Sequence, residues 1–218
     1  MHKLLKGSLV VLLMTVAACD GSSPTSSVAA NATPRMSGGG SGSTPGGSSI
    51  TLLTASSGAP AINSPTSFYA VQGLDRQGEL SYVDSSSGNT LRKFLRLRIR
   101  PRTQIARPDG TLLATGDSIL ITITLIDRVH LIAQFEPSGL RFSGRDPAEL
   151  TMFFGETNPD LNHDGVVNAA DAAIVQTFSI FRQAFAGAPW TRIPSTVSAG
   201  ADEVTAAIPG FSNYVIAY

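Results

Sequence analysis

Residues 119–126 read Ile-Leu-Ile-Thr-Ile-Thr-Leu-Ile, so that Ile119, Ile121, Ile123 and Leu125 alternate with Leu120, Thr122, Thr124 and Ile126. Stiff β-branched side chains at a period of two fall on the two sides of an extended chain and on no single face of a helix. The run predicts a strand buried on at least one side. Residues 129–135 continue it after the turn pair Asp127-Arg128, which predicts a hairpin. Shorter extended candidates recur at 67–71, 79–83, 94–100, 139–142, 150–154, 190–193, 204–208 and 214–217, separated by Gly, Pro and Asp. Many short strands between such turns predict a mainly β chain folded as an antiparallel β-sandwich over residues 61–218, a length that supplies one core.

One helix interrupts this series. Ala170, Ile174, Phe178 and Phe181 are spaced to share a helical face, and Gly187 with Pro189 closes the segment.

Immediately before it, residues 160–171 read Asp-Leu-Asn-His-Asp-Gly-Val-Val-Asn-Ala-Ala-Asp. Oxygen-bearing side chains stand at positions one, three, five, nine and twelve: Asp160, Asn162, Asp164, Asn168 and Asp171. Val166 at position seven offers its backbone carbonyl, and Gly165 at position six permits the sharp turn. A hard cation that takes roughly six to eight oxygens, Ca2+ above all, needs such a set. Val167 at position eight is expected to point into apolar surroundings, and His163 into solvent.

Position twelve is Asp171 where the EF-hand pattern has Glu. With Asn at positions three and nine, the loop and the helix after it resemble the calcium-binding segment of dockerin modules. The resemblance implies Asp160, Asn162, Asp164, Val166, Asn168 and Asp171 as metal ligands and a cohesin-like partner. A dockerin carries two such segments and this chain has one.

A second resemblance runs through residues 91–218. The segments Pro137-Ser138-Gly139-Leu140-Arg141-Phe142, Pro147-Ala148-Glu149-Leu150-Thr151-Met152, Trp190-Thr191-Arg192-Ile193-Pro194, Val204-Thr205-Ala206 and Phe211-Ser212-Asn213-Tyr214-Val215 resemble a bacterial ZU5-like β-sandwich. On that resemblance the calcium loop and its helix, residues 156–187, are an insertion between two strands. Some relatives of that family cleave themselves at His-Phe-Ser. The corresponding tripeptide here is Gly210-Phe211-Ser212, which lacks the assisting His, so cleavage is not expected.

The N-terminus places His2, Lys3 and Lys6 before an apolar run at 9–16, too short to span as a stable helix, followed by Val16-Ala17-Ala18-Cys19. The tetrapeptide resembles a bacterial lipobox. It implies removal of a signal peptide, residues 1–18, and a lipid anchor on Cys19, the sole cysteine of the chain. Residues 19–60 are dominated by Ser, Gly, Thr, Ala and Pro and predict a disordered tether, which as a flexible coil would reach about 35 Å.

The chain has 16 Lys+Arg and 16 Asp+Glu; without Lys3 and Lys6, 14 basic face 16 acidic side chains. That balance argues against a nucleic-acid partner. A local exception is the stripe Arg92, Lys93, Arg96, Arg98, Arg100, Arg102 and Arg107, read chiefly as a strand face paired with carboxylates of neighbouring strands. No Gly-x-Ser-x-Gly elbow, phosphate-binding glycine loop or spaced His pair is present. The expectation is a non-catalytic protein of the bacterial cell envelope, anchored to the membrane through Cys19 and presenting a Ca2+-stabilised sandwich to an envelope protein or glycan. The alternatives are a half-dockerin-like docking module, pairing with a cohesin-like protein or with its own copy, and an envelope hydrolase.

Overall fold

A computed structural model of the chain describes residues 50–218; the signal-like segment, the lipid-anchor position Cys19 and the tether up to residue 49 lie outside the described residues. Fourteen strands and one short helix follow in the order β1 (Ala61–Ile62), β2 (Thr66–Val71), β3 (Arg76–Val83), β4 (Thr90–Ile99), β5 (Thr103–Ala106), β6 (Ser118–Asp127), β7 (Ile132–Glu136), β8 (Arg141–Gly144), β9 (Ala148–Phe153), α1 (Ala169–Val175), β10 (Ser179–Gln183), β11 (Trp190–Ile193), β12 (Ser195–Ser198), β13 (Glu203–Ile208) and β14 (Asn213–Ala217). They form two six-stranded sheets, ordered β1-β3-β4-β9-β13-β12 and β11-β10-β14-β7-β6-β2, with a separate β5-β8 pair. Every strand pairing is antiparallel. The chain is thus the expected mainly β protein, consistent with a β-sandwich.

Alternation along the strands builds the core. Leu80, Leu97, Ile99, Leu150, Met152, Val204 and Ala206 of the first sheet are buried in one cluster with Ile121, Ile123, Phe135, Ile180, Tyr214 and Ile216 of the second. Ile121 and Ile123 are completely buried while Leu120 is half exposed, as the period of two requires. The hairpin of β6 and β7 is wider than the sequence suggests. The Asp127 carboxylate accepts hydrogen bonds from Val129 N (2.8 Å) and His130 N (2.9 Å), which withdraws both residues from the ladder, and β7 starts only at Ile132. Pro194 separates β11 in one sheet from β12 in the other.

Three boundaries differ from expectation. The helix ends at Val175, and the residues expected to extend it to 187 instead form β10, which lies between β11 and β14 in the second sheet. Phe178 enters the main core and Phe181 a separate cluster with Val215 and Ala217, so the two rings share no helical face. The loop and helix expected to fill 156–187 therefore occupy only the stretch between β9 and β10. Lastly, residues 50–60 are not tether. Thr51 N donates to Tyr218 O (2.8 Å), Leu53 N to Ile216 O (3.2 Å) and Tyr218 N to Thr51 O (3.0 Å), and Leu53 is buried. Pairing with β14 supplies the backbone partners that this polar-looking segment lacks by itself.

Five of the seven cations of the basic stripe are matched by carboxylates, while Arg96 Nη2 reaches the Thr151 hydroxyl at 3.4 Å. Arg92 meets Glu156 (2.9 Å), Lys93 Glu79 (2.7 Å), Arg98 Asp75 (2.6 Å), Arg100 Glu149 (2.8 Å) and Arg102 Asp146 (2.8 Å). A strand face of cations in sequence is a mixed-charge surface in the fold.

Candidate metal centre

The loop 160–171 leaves β9 through a clamped entry. Phe154 N donates to Asp202 O (2.8 Å), Ser56 N to Glu156 O (2.9 Å) and Asn158 N to Thr54 O (2.8 Å). Two of these three partners belong to the segment 50–60, which sequence composition gave no reason to place here. From that entry the loop folds on its own side chains. Asp160 accepts from Asp164 N (3.1 Å) and Gly165 N (2.9 Å), Asn162 Oδ1 from Asp164 N (3.0 Å), and Asp164 Oδ1 from Val166 N (2.8 Å). Short polar side chains capture backbone N–H groups two to five residues on, which is why this turn forms locally.

Two residues bend the backbone into the left-handed region: Gly165 at φ +86°, where no neighbour would obstruct a Cβ, and His163 at φ +59°. Gly165 thus turns as its position predicts, for conformational freedom and not for space. His163 is exposed.

At the far end the loop becomes α1. Asn168 is the N-cap: its Oδ1 accepts from Ala170 N (2.7 Å), and Asp171 Oδ2 accepts from Asn168 N (2.8 Å), completing a capping box. Asp171 Oδ1 reaches back to Leu161 N (2.7 Å) and Asn162 N (3.2 Å). The twelfth residue therefore ties the second, third and ninth together, and draws the loop's ends toward each other. The Asn168 N–H foremost, then those of Leu161 and Asn162, hold the Asp171 carboxyl below its ordinary range against the opposing effect of burial. Leu161, itself buried, carries the outer anchor, because its carbonyl accepts the Tyr218 hydroxyl at 2.5 Å. Tyr218 has no signal in sequence that would connect it to the loop.

Among the described residues no three His, Cys, Asp or Glu side chains are gathered closely enough to form a metal cage. Two of the five side-chain positions here are amides, and the carboxylates are turned onto backbone N–H groups. The capacity for an ion lies in the remaining lone pairs. A carboxylate has about four acceptor sites and a carbonyl or amide oxygen two. Asp160, Asn162 Oδ1 and Asp164 keep acceptor sites beyond the bonds described. Asn168 Oδ1 keeps one beyond the cap, and the Val166 carbonyl keeps one beyond its bond from Asn168 Nδ2 (3.1 Å). Asp171 Oδ1 is saturated by its two N–H donors and Oδ2 is half used, which leaves a single-oxygen ligand where a Glu would chelate with two. Six groups with at least one free oxygen lone pair each fit the donor chemistry of Ca2+.

Val167 departs from expectation. It is 61% exposed, and Val166 60%. Val167 lies at the rim of a groove of about 280 Å3 bordered by Phe154, Leu161, Val175 and Phe178, with no second loop of the kind that would cover it. Ser212 of the Gly210-Phe211-Ser212 tripeptide is buried and its Oγ accepts from Arg182 Nε (2.7 Å), while Phe211 is a core residue.

No protein-family model, no curated protein and no solved structure matches this chain.

Proposed function

We propose that this chain is a non-catalytic protein of the bacterial cell envelope, anchored through a lipid on Cys19, in which one calcium ion at 160–171 staples the stretch between β9 and β10 onto a β-sandwich that presents a binding or structural surface. The observation that carries the ion is the loop itself: six oxygen groups in a fixed order, each with a free lone pair, pinched at both ends by Asp171 and by Tyr218 on Leu161. Asp160, Asn162, Asp164, the Val166 carbonyl, Asn168 and Asp171 would hold it. The ion would supply positive charge to the carboxylates of Asp160, Asp164 and Asp171, and would fix the first turn of α1.

Three carboxylates with two neutral amides point to micromolar or weaker affinity. Outside the cytoplasm such a site stays loaded and acts as a structural staple. Calorimetric titration of Ca2+ into chelator-treated protein should give about one ion per chain, with no heat for the Asp160→Ala/Asp164→Ala double variant. A flat titration of the unmodified chain, with no thermal stabilisation, would remove the ion from the account.

A docking module is the second reading, favoured by the surface that the loop exposes. Val166, Val167, Ala169, Ala170, Ala172 and Ala173 are all exposed, while Asn168 and Asp171 close the cap beside them. Light scattering with and without Ca2+ tests pairing of copies through this surface. A calcium-dependent dimer abolished by Val167→Asp would establish docking, and a monomer under both conditions would eliminate self-pairing.

A further inference from the structure

The two sheets turn unlike faces outward. On the first, the rows across the strands are charged, with Glu79 opposite Arg96 and Arg98 opposite Glu149. On the second, the residues that alternate with the core place Tyr69 opposite Leu120, 61% and 47% exposed, and Phe181 opposite Val215. Phe181, Val215 and Ala217 form a cluster of their own there, with Ile50, Leu52, Ile132 and Trp190 packed against it. Phe185, 71% exposed, stands in the turn between β10 and β11 that leads into Trp190. Among the described strand residues, Arg192 and Glu136 are the only charges that the alternation sets on this face. Each is held by neutral groups: Arg192 Nε donates to Ser179 Oγ (2.8 Å) and Nη2 to Thr177 O (3.3 Å), and Glu136 accepts from Ser138 N (2.5 Å).

We propose that the outward face of the second sheet rests on the surface of a lipid bilayer, with Tyr69, Leu120, Phe185 and Trp190 in its interfacial layer. The inference rests on the Cys19 anchor proposed above, which brings the sandwich to the membrane. Ile50, the first described residue, packs against the cluster of Phe181, Val215 and Ala217, so the chain toward Cys19 departs from this face and not from the charged one. As a coil, the thirty residues between Cys19 and Ile50 would span about 30 Å. A domain of this size is about 40 Å across. The anchor therefore favours contact through the side from which the chain departs.

Trp and Tyr rings settle at a membrane interface because an apolar body carries a polar tip. Between the two apolar ends of the face lie Ser67 and Thr122, whose hydroxyls are 2.9 Å apart, and Gln134 opposite Asn213. These groups suit the headgroup layer and not the acyl chains, so the sheet lies at shallow depth. One cation and one carboxylate give the face no net charge, so the attraction is apolar and insensitive to salt. None of these residues belongs to the calcium loop, so the face stands or falls apart from the ion.

Trp190 is the only tryptophan of the chain, so its fluorescence reports this face alone. The experiment reconstitutes the full-length chain in phosphatidylcholine vesicles whose acyl chains carry bromine, a quencher of indole emission. Relative to unbrominated vesicles Trp190 should be quenched, and the quench should persist in about 1 M salt, where the Debye length is about 3 Å. Tyr69→Ser/Leu120→Ser should lower the ratio of quenched to unquenched Trp190 about tenfold, and Phe185→Ala several-fold. All three side chains are exposed, so the melting temperature should stay within a few degrees; Phe185→Ala carries the comparison if the double variant melts early. Intact mass reads the lipid on Cys19 separately. Lipid without quenching keeps the anchor and overturns the membrane face, whereas quenching without lipid keeps the face and overturns the anchor. The proposal also falls if the quench ignores all three substitutions or is lost in salt. A blue shift of Trp190 that grows with protein concentration in the absence of vesicles would overturn it too, giving the face to a second copy of the chain.

Discussion

Truncating Phe178 to alanine probes the point where the stretch after the loop meets the core. Its ring is 2% exposed, edge-on to Phe154 at 5.2 Å and 88°, and tilted against Tyr218 at 5.8 Å and 31°. In a sealed core Phe→Ala costs about 3–5 kcal/mol, partly for lost transfer and partly for the cavity. Phe178 borders the groove of about 280 Å3, which opens to solvent, so water enters part of the vacated space. The loss should fall near the lower end, about 3 kcal/mol, with about 1 kcal/mol of it from the ring pairs. For a chain of this size that lowers the melting temperature by about 6–12 °C. The partners matter more than the magnitude. Phe181 lies in a different cluster with Val215 and Ala217, so Phe178→Ala/Phe181→Ala should be additive to within about 0.5 kcal/mol. Phe178→Ala/Phe154→Ala should instead show a coupling of about 0.5–1.5 kcal/mol. Urea denaturation of the singles and both doubles measures this, with Phe185→Ala, 71% exposed, as the neutral control. Coupling between Phe178 and Phe181 together with additivity between Phe178 and Phe154 would refute the strand at β10 and restore one helical face.

Gly210→Ala should destabilise by at least about 2 kcal/mol, because the new Cβ would meet Leu140 O at 2.4 Å, and that carbonyl is itself held by Phe211 N at 2.8 Å. Gly200→Ala, with nothing within 4 Å, should be neutral in the same denaturation series; equal losses at both positions would dismiss the steric cause. The turn between β3 and β4 should weaken in acid. The Ser86 hydroxyl, then the Ser87 and Ser86 N–H groups, draw the Asp84 carboxyl down to about 2. Stabilisation from a depressed carboxyl is complete above its ordinary value near 3.8 and is lost as pH falls through about 2. The gap in melting temperature between the unmodified chain and Asp84→Ala should therefore be open at neutral pH and closed at the acid end; a gap independent of pH would show that the carboxylate does not hold the turn.

Features generated within a few residues were legible without the fold. The alternation at 119–126 becomes β6, and the turn at Gly165 forms because Asp160, Asn162 and Asp164 find their N–H partners inside the loop. The Asp171 capping box is equally local, with its partner three residues away, but in sequence both residues stand out only as metal ligands. Features that depend on distant partners were not legible. Phe178 and Phe181 fit a helical face by spacing alone, and Ile180 between them is buried too, so no period distinguishes a strand with apolar residues on both sides. β14 and β11 decide it by taking the backbone hydrogen bonds of β10 from either side. Residues 50–60 resemble tether in composition until β14 pairs with them, and although the arginines of β4 are expected to meet carboxylates, only the fold names Asp75 and Glu149 as the partners. Short-range hydrogen bonds and side-chain period are properties of the chain, whereas ladder partners, ion pairs and the apolar face that Tyr69 shares with Leu120 exist only once segments far apart in sequence share a surface.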